Sequence, residues 1–299
     1  MVVQITYHYN NEILEWQWAS DNDLMPYPYF TSCYLVDGLL IDSGAPGGAN
    51  DLKLFLESLK PNQMIDKCFI THAHEDHAGG AHMIQTEFGI PIFTSKETVD
   101  LLKKGNTYPE YRQLAWGPKL LPVDAKEINE PIITKAKKYK FELFPMIGHA
   151  SELVALIEKE QKWAFVADAV QPKYKMIFGR NSDIQEDISL IYQSLSKLYE
   201  FTVGMDKLLI FSAGNGVLQG RNMIKEKMEE IENLYTRVHQ EHSKLQKEGF
   251  KEKKITKKIV KKIFKRESII GQLTLGDLSR ENLILSLLKW EKKEDLIIL

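Results

Sequence analysis

The shortages in this 299-residue chain narrow its class before any motif is considered. Cysteine occurs twice, at Cys33 and Cys68, so at most one disulfide can form. Both lie in apolar, strand-like surroundings and are expected to be buried thiols of a reducing compartment. No apolar run approaches the ~20 residues that a membrane-spanning helix needs. The first residues, Met-Val-Val-Gln-Ile-Thr-Tyr, hold no basic stretch leading into an apolar one, so a cytoplasmic protein is expected. Net charge is also nearly absent, at −2, but the balance is uneven. Residues 243–267 carry eleven Lys or Arg against three Glu, a local +8 that leaves −10 for the rest. What is present in quantity, 43% hydrophobic and 27% charged residues, describes a globular chain with ample material for a core.

Histidine is scarce too, with 8 in the chain, and four of these fall between His72 and His82. Residues 71–80 read Thr-His-Ala-His-Glu-Asp-His-Ala-Gly-Gly, which places His72, His74, Asp76 and His77 within six residues. Imidazole is the commonest metal ligand, and carboxylate joins it readily. Lys67 to Thr71 is a short β-branched and aromatic run that predicts a buried strand. In extended backbone, residues two apart share a side at a spacing of roughly 6.6 Å, so His72 and His74 are expected to converge on one ion from a strand end. Ala78-Gly79-Gly80 permits the tight path by which the chain then enters a helix carrying Asp76 and His77.

Three other apolar runs end in a group of the same chemistry. Leu39-Leu40-Ile41 runs into Asp42, Pro145-Met146-Ile147-Gly148 into His149, and Trp163-Ala164-Phe165-Val166-Ala167 into Asp168. Taken singly, each fits a strand cap. Strand ends on one edge of a sheet are also where ligands from distant parts of a chain can meet.

In this order, Asp42, then His72-x-His74-x-Asp76-His77, then His149, then Asp168, the chain resembles the metallo-β-lactamase superfamily over residues 28–222. The resemblance implies an α+β fold, an αβ/βα sandwich of two mixed sheets with helices outside and metals at one edge. By position it implies that His72, His74 and His149 hold a first metal. Asp76 and His77 would hold a second, with Asp168 bridging both. Asp42 is similar to the family's first-motif aspartate, which orients ligands without binding metal. Zinc is the expected cofactor, one or two ions, with iron or manganese as alternatives. A bound divalent ion lowers the pKa of its water from ~15.7 towards ~7 and polarises a carbonyl or phosphoryl oxygen. With a single ion, Asp76 or Asp168 is expected to orient the attacking water as general base.

One element departs from the family pattern. Lys207 to Gly216 matches a turn that usually carries a histidine, but here Asn215 stands in that place, and no histidine occurs between His149 and His239. An amide oxygen is a weak, neutral ligand for zinc. The second ion is therefore expected to be loosely held, exchanged or absent. His239 and His242 read as exposed positions on a long helix, and His82, one turn past the motif, as helix surface or a support for the ligands, not a ligand itself.

Leu14, Trp16 and Trp18 alternate with Glu15 and Gln17, which predicts a half-buried strand. Asp37-Gly38 predicts a tight hairpin turn between 32–36 and 39–41. Helices are expected over 49–59, 80–88 and 96–103, and an irregular stretch from Tyr108 to Pro122. Tyr27, Tyr29 and Phe30 precede the hairpin and are candidates for an apolar wall at the substrate. Lys175 and Arg180, in the 172–183 insertion, are candidates for gripping a carboxylate or phosphate. The domains expected are 1–220, catalytic, and 221–299, a helical C-terminal module without internal repeat. In the module Ile224, Met228, Ile231, Tyr235, Val238 and Leu245 keep helical spacing, 255–264 forms a basic amphipathic helix, and Ser279 caps the last helix.

The function expected from the resemblance is hydrolysis of a small ester, thioester, lactone or lactam, in the manner of the glyoxalase-II and lactonase branches. Two alternatives share the metal chemistry. A nuclease or phosphodiesterase would use the basic segment on RNA or DNA, and a single-iron enzyme would oxygenate a persulfide. A scaffold that binds metal without catalysis is the reading from another class.

Overall fold

The structure is a computed structural model, and it describes residues 2–21, 28–105, 108–174, 177–179 and 186–292. The chain forms two units: 1–146 with 152–170 and 204–220, and 147–151 with 171–203 and 221–299.

The first unit is built on two sheets. One has seven strands in sequence order: β1 (Val2–His8), β2 (Ile13–Ala19), β3 (Thr31–Val36), β4 (Leu39–Ile41), β5 (Lys67–Phe69), β6 (Ile92–Thr94) and β7 (Lys126–Glu127). β1 to β4 pair antiparallel and β4 to β7 parallel. The crossovers between the parallel strands carry the helices α1 (Ala49–Glu57), α2 (Glu75–Ala78), α3 (Ala81–Phe88), α4 (Lys96–Lys104) and α5 (Glu110–Trp116). The other sheet holds β8 (Ile132–Ile133), β9 (Lys140–Pro145), β10 (Val154–Glu158), β11 (Trp163–Ala167), β13 (Leu209–Ser212) and β14 (Gly216–Gln219), with β11 and β13 parallel.

Period-two alternation sorts the side chains. Ile13, Tyr34, Leu39, Ile41 and Phe69 face the second sheet and meet Phe141, Leu156, Trp163, Phe165 and Phe211. Their neighbours Leu14, Trp16, Cys33, Leu40 and Cys68 face the opposite way, onto Leu52, Phe55 and Ile84 of the helical layer. This is the expected sandwich, and both cysteines are buried free thiols. Asp37 and Gly38 both take positive φ, 43° and 81°, and set the register Val36↔Leu39.

One strand reading needs correcting. β2 is buried on both faces, not one, and Glu15 is only 2% exposed. Its carboxylate is held there by Ser32 Oγ at 2.8 Å, Tyr34 Oη at 3.0 Å and His8 Nε2 at 2.9 Å. A polar residue on an alternating strand ordinarily marks a solvent face. Here three donors satisfy it inside the sandwich.

The second unit is helical, with α6 (Ile188–Phe201), α7 (Asn222–Lys247), α8 (Glu252–Phe264), α9 (Ile269–Leu273) and α10 (Arg280–Lys289). A short antiparallel pair, β12 (Phe178–Gly179) with β15 (Leu278–Ser279), was not legible in the sequence. Ile224, Ile231, Val238 and Leu245 of α7 are buried, while Met228 and Tyr235 are half-buried. Ser279 accepts from Asn282 N and caps α10. His239 and His242 are half-buried, not exposed: they bond Leu287 O at 3.1 Å and Glu252 Oε2 at 2.9 Å. Among the described residues no helix is long and apolar enough to cross a membrane.

Candidate metal centre

β4 and β5 run parallel and end in register, Ile41 beside Phe69. The ladder continues for one more bond, Asp42 N to Phe69 O at 2.8 Å. Asp42 then takes φ 62°, a left-handed conformation that aspartate tolerates better than most residues. Its carboxylate is turned onto the loop after β5. It accepts from Thr71 N at 2.8 Å and Thr71 Oγ1 at 3.0 Å, and lies 2.7 Å from His77 Nδ1. Thr71 Oγ1 also sits 3.0 Å from His72 Nδ1.

The strand itself stops at Phe69, two residues short of the expected end. His72 therefore lies in a bend, and His74 is the residue from which α2 starts. The rings still gather: His72 is 4.4 Å from His74 and 4.2 Å from His77, centroid to centroid. α2 is clamped by its backbone. Ser43 N donates to His77 O and Gly79 N to Gly44 O, both at 2.7 Å. A Cβ at Gly79 would lie 2.1 Å from Pro46 N, so only glycine allows this approach.

Asp168 follows β11. The pairing with β13 shifts register between Phe165 and Ala167, and Ala167 takes φ 47°. Bulges of this kind re-aim the next side chain. Asp168 Oδ2 lies 2.9 Å from His77 Nε2. Ligand atoms of His72, His77 and Asp168 fall within 4.8 Å of one another. Asp76 Oδ2 lies 3.7 Å from His77 Nε2. Burial raises the Asp76 pKa above the usual carboxylate value, with His77 opposing. Burial works against a charge on His77, but the Asp42, Asp76 and Asp168 carboxylates outweigh it and push its pKa well above the ordinary imidazole value. Imidazole nitrogens with carboxylate oxygens form a donor set suited to zinc, iron or manganese, and the crowded carboxylates favour a cation. The residues present fit a divalent ion.

His149 lies in the loop between β9 and β10, in the stretch that belongs to the second unit. Its Nδ1 is 2.8 Å from Glu186 Oε1, and Glu186 Oε2 accepts from Gly179 N at 3.1 Å. Gly148 takes φ 135°, and a Cβ there would strike Ile191 N at 2.5 Å. Asn215 is exposed in the turn between β13 and β14, where its Nδ2 donates to Ala213 O at 2.7 Å.

Sequence reasoning missed three carboxylates. Glu75, inside the histidine motif, is fully buried and ion-paired to Arg112 of α5, in a segment expected to be irregular. Burial raises its pKa to about 7 despite Arg112. Glu152 Oε1 accepts from Ala73 N at 3.2 Å, and Glu186 holds His149. None carries a local signal, because each acts on a partner far away in sequence. His82 Nδ1 lies 2.7 Å from Pro122 O, away from the cluster. Tyr29 is exposed, at 43%. Tyr27, Lys175 and Arg180 lie outside the described residues.

The profile of the metallo-β-lactamase superfamily matches residues 26–255. A comparison with curated proteins returned no match. Among solved structures, a metallo-β-lactamase from Pontibacter korlensis is 18% identical, with 78% of this chain and 100% of that one covered and a TM-score of 0.60. The enzyme FIM-1 from Pseudomonas aeruginosa, in its mono-zinc form, is 13% identical over 78% of this chain and 96% of its own, TM-score 0.57. A metallo-β-lactamase from Erythrobacter litoralis is 15% identical over 77% and 96%, TM-score 0.55. At such identities the structural likeness speaks for the fold alone. The profile match spans most of the sequence, and with the histidine and aspartate cluster at the strand ends of the two sheets it leads to one conclusion: the chain belongs to the metallo-β-lactamase superfamily.

Proposed function

We propose that this metallo-hydrolase cleaves a small ester, thioester, lactone or lactam with water, and that residues 1–220 form its catalytic part. The observation that carries this reading is the convergence of His72, His77 and Asp168 within 4.8 Å, beyond the ends of β5 and β11 of the two sheets. In this reading His72, His74 and His149 hold one zinc ion. Asp76, His77 and Asp168 face a second position, and iron or manganese are the alternative metals. A divalent cation held there supplies Lewis acidity, polarising the substrate carbonyl and acidifying water.

The protein's own groups do the rest. Asp42 fixes the His77 ring from Nδ1, and Glu186 does the same for His149, as carboxylates commonly do for metal-binding imidazoles. Asp76 or Asp168 takes the proton of the attacking water. Asn215, which bonds its own turn, offers the second position no imidazole. That supports a single tight ion. Tyr27, Tyr29, Lys175 and Arg180 are proposed to contact substrate.

The test is metal stoichiometry of the purified protein, followed by a panel of chromogenic thioester, lactone and β-lactam substrates. Zinc or manganese with turnover of one class supports the proposal. Bound iron with oxygen uptake on a persulfide, or silence across the panel from metal-loaded protein, overturns it.

A further inference from the structure

The site proposed above makes no use of the basic segment, and α8 arranges that segment as a surface. Ile255, Thr256, Ile259 and Val260 are buried, and Ile263 and Phe264 half-buried. Every exposed position from 253 to 266 is Lys253, Lys254, Lys257, Lys258, Lys261, Lys262, Lys265 or Arg266. Within the helix these make two rows, 253-257-261 and 254-258-262, with a repeat of about 6 Å along the axis. Lys262 pairs with Glu241 at 2.6 Å, and Lys258 lies over the Phe250 ring at 4.2 Å. Lys253, Lys254, Lys257, Lys261 and Lys265 have no carboxylate partner among the described residues.

Such a face works against its own helix. Like charges four residues apart repel, and alternating Glu with Lys would hold the same apolar underside with favourable pairs. The remainder of the chain sums to −10, so attraction for a polyanion is concentrated here and not spread over the protein.

We infer that the exposed face of α8 binds the phosphodiester backbone of a nucleic-acid duplex without reading its sequence. Lysine is a point charge suited to phosphate, whereas base-edge readout favours the arginine fork. None of its exposed positions is aromatic, whereas single-strand binding uses exposed rings as stacking platforms. Membrane helices insert apolar side chains, and those of α8 are turned inward. Protein interfaces are depleted in lysine and rely on buried anchors, which this face lacks. Duplexes offer the densest row of phosphates, about one charge per 1.7 Å of axis.

The experiment uses the full chain and fluorescein-labelled 24-base-pair DNA and RNA duplexes, the matching single strands, and vesicles with 30% phosphatidylserine. Anisotropy is read across a salt series. About four to five neutralised phosphates give a slope of log K against log salt near −4, a loss of roughly 250-fold between 50 and 200 mM. Changing Lys253, Lys254, Lys257 and Lys261 together to Gln should flatten the slope by roughly three to four and weaken binding at least tenfold. The four Arg replacements should retain binding, which separates charge from misfolding. A control with Lys96, Lys103, Lys104 and Lys126 changed to Gln, all exposed elsewhere, should bind as the parent does. Equal loss in the control, salt-independent binding, no binding, or preference for single strands or vesicles overturns the inference. The hydrolase reading is decided separately, by metal content and the substrate panel.

Discussion

His77 Nδ1 lies 2.7 Å from Asp42 Oδ2, and both side chains are buried. The same carboxylate accepts two bonds from Thr71, so one group fixes both the helix that carries His77 and the loop that leads to His72. Asp42→Asn preserves the shape but brings an N–H₂ group where only acceptors are used. We expect kcat/KM to fall ~10–100-fold while the fold survives. Activity on the best substrate of the panel, with circular dichroism alongside, checks this; unchanged kcat/KM would remove Asp42 from the scheme.

His74→Ala and His149→Ala should each reduce turnover to background and lose the tightly bound ion, because an open coordination position replaces a protein ligand. Glu186→Gln should be milder, weakening metal affinity ~10–100-fold by loosening the His149 ring. Chelator competition ranks the three variants. A fully active His74→Ala protein contradicts the metal assignment.

Arg112 and Glu75 form a buried pair behind the histidine motif. Glu75 titrates at about 7 even beside Arg112, so in Arg112→Ala its carboxyl should take up a proton. The loss of stability should be small at acid pH and grow as pH rises, towards the order of 3–5 kcal/mol of a buried charge left alone. The double change Arg112→Met with Glu75→Gln should cost much less at high pH, since no buried charge remains. Urea denaturation of the two variants across pH measures the difference, and equal losses at high pH would show that the pair is not coupled.

Asn215→His restores an imidazole at the turn between β13 and β14. The variant should retain a second metal equivalent through dialysis against a mild chelator, where the parent retains one. Metal analysis after dialysis decides the point, and two equivalents held by the parent would refute the single-ion reading.

The histidine motif was legible because its ligands are neighbours in the chain, and the hairpin at Asp37-Gly38 because left-handed φ at both turn residues favours that pair. Ser279 was legible as a cap for the same local reason. Glu15 was misread as solvent-facing because its three hydrogen-bond partners come from other strands or other positions on them. α5 went unnoticed because seven residues carry little periodic signal, and Arg112 is anchored by a partner 37 positions earlier.

Sequence alone determined which groups were available for chemistry: three imidazoles and two carboxylates within six residues, aspartates closing apolar runs, an asparagine where the family has histidine, and a lysine-rich stretch of helical period. Tertiary structure decided how those groups are held. The bulge that aims Asp168, the left-handed turn at Asp42, the burial of Glu75 against Arg112 and the clean lysine face of α8 all arise from long-range packing and hydrogen bonding. Periodicity and turn chemistry act over a few residues and can be read along the chain; the partners of a buried charge are set by which distant segments the core brings together.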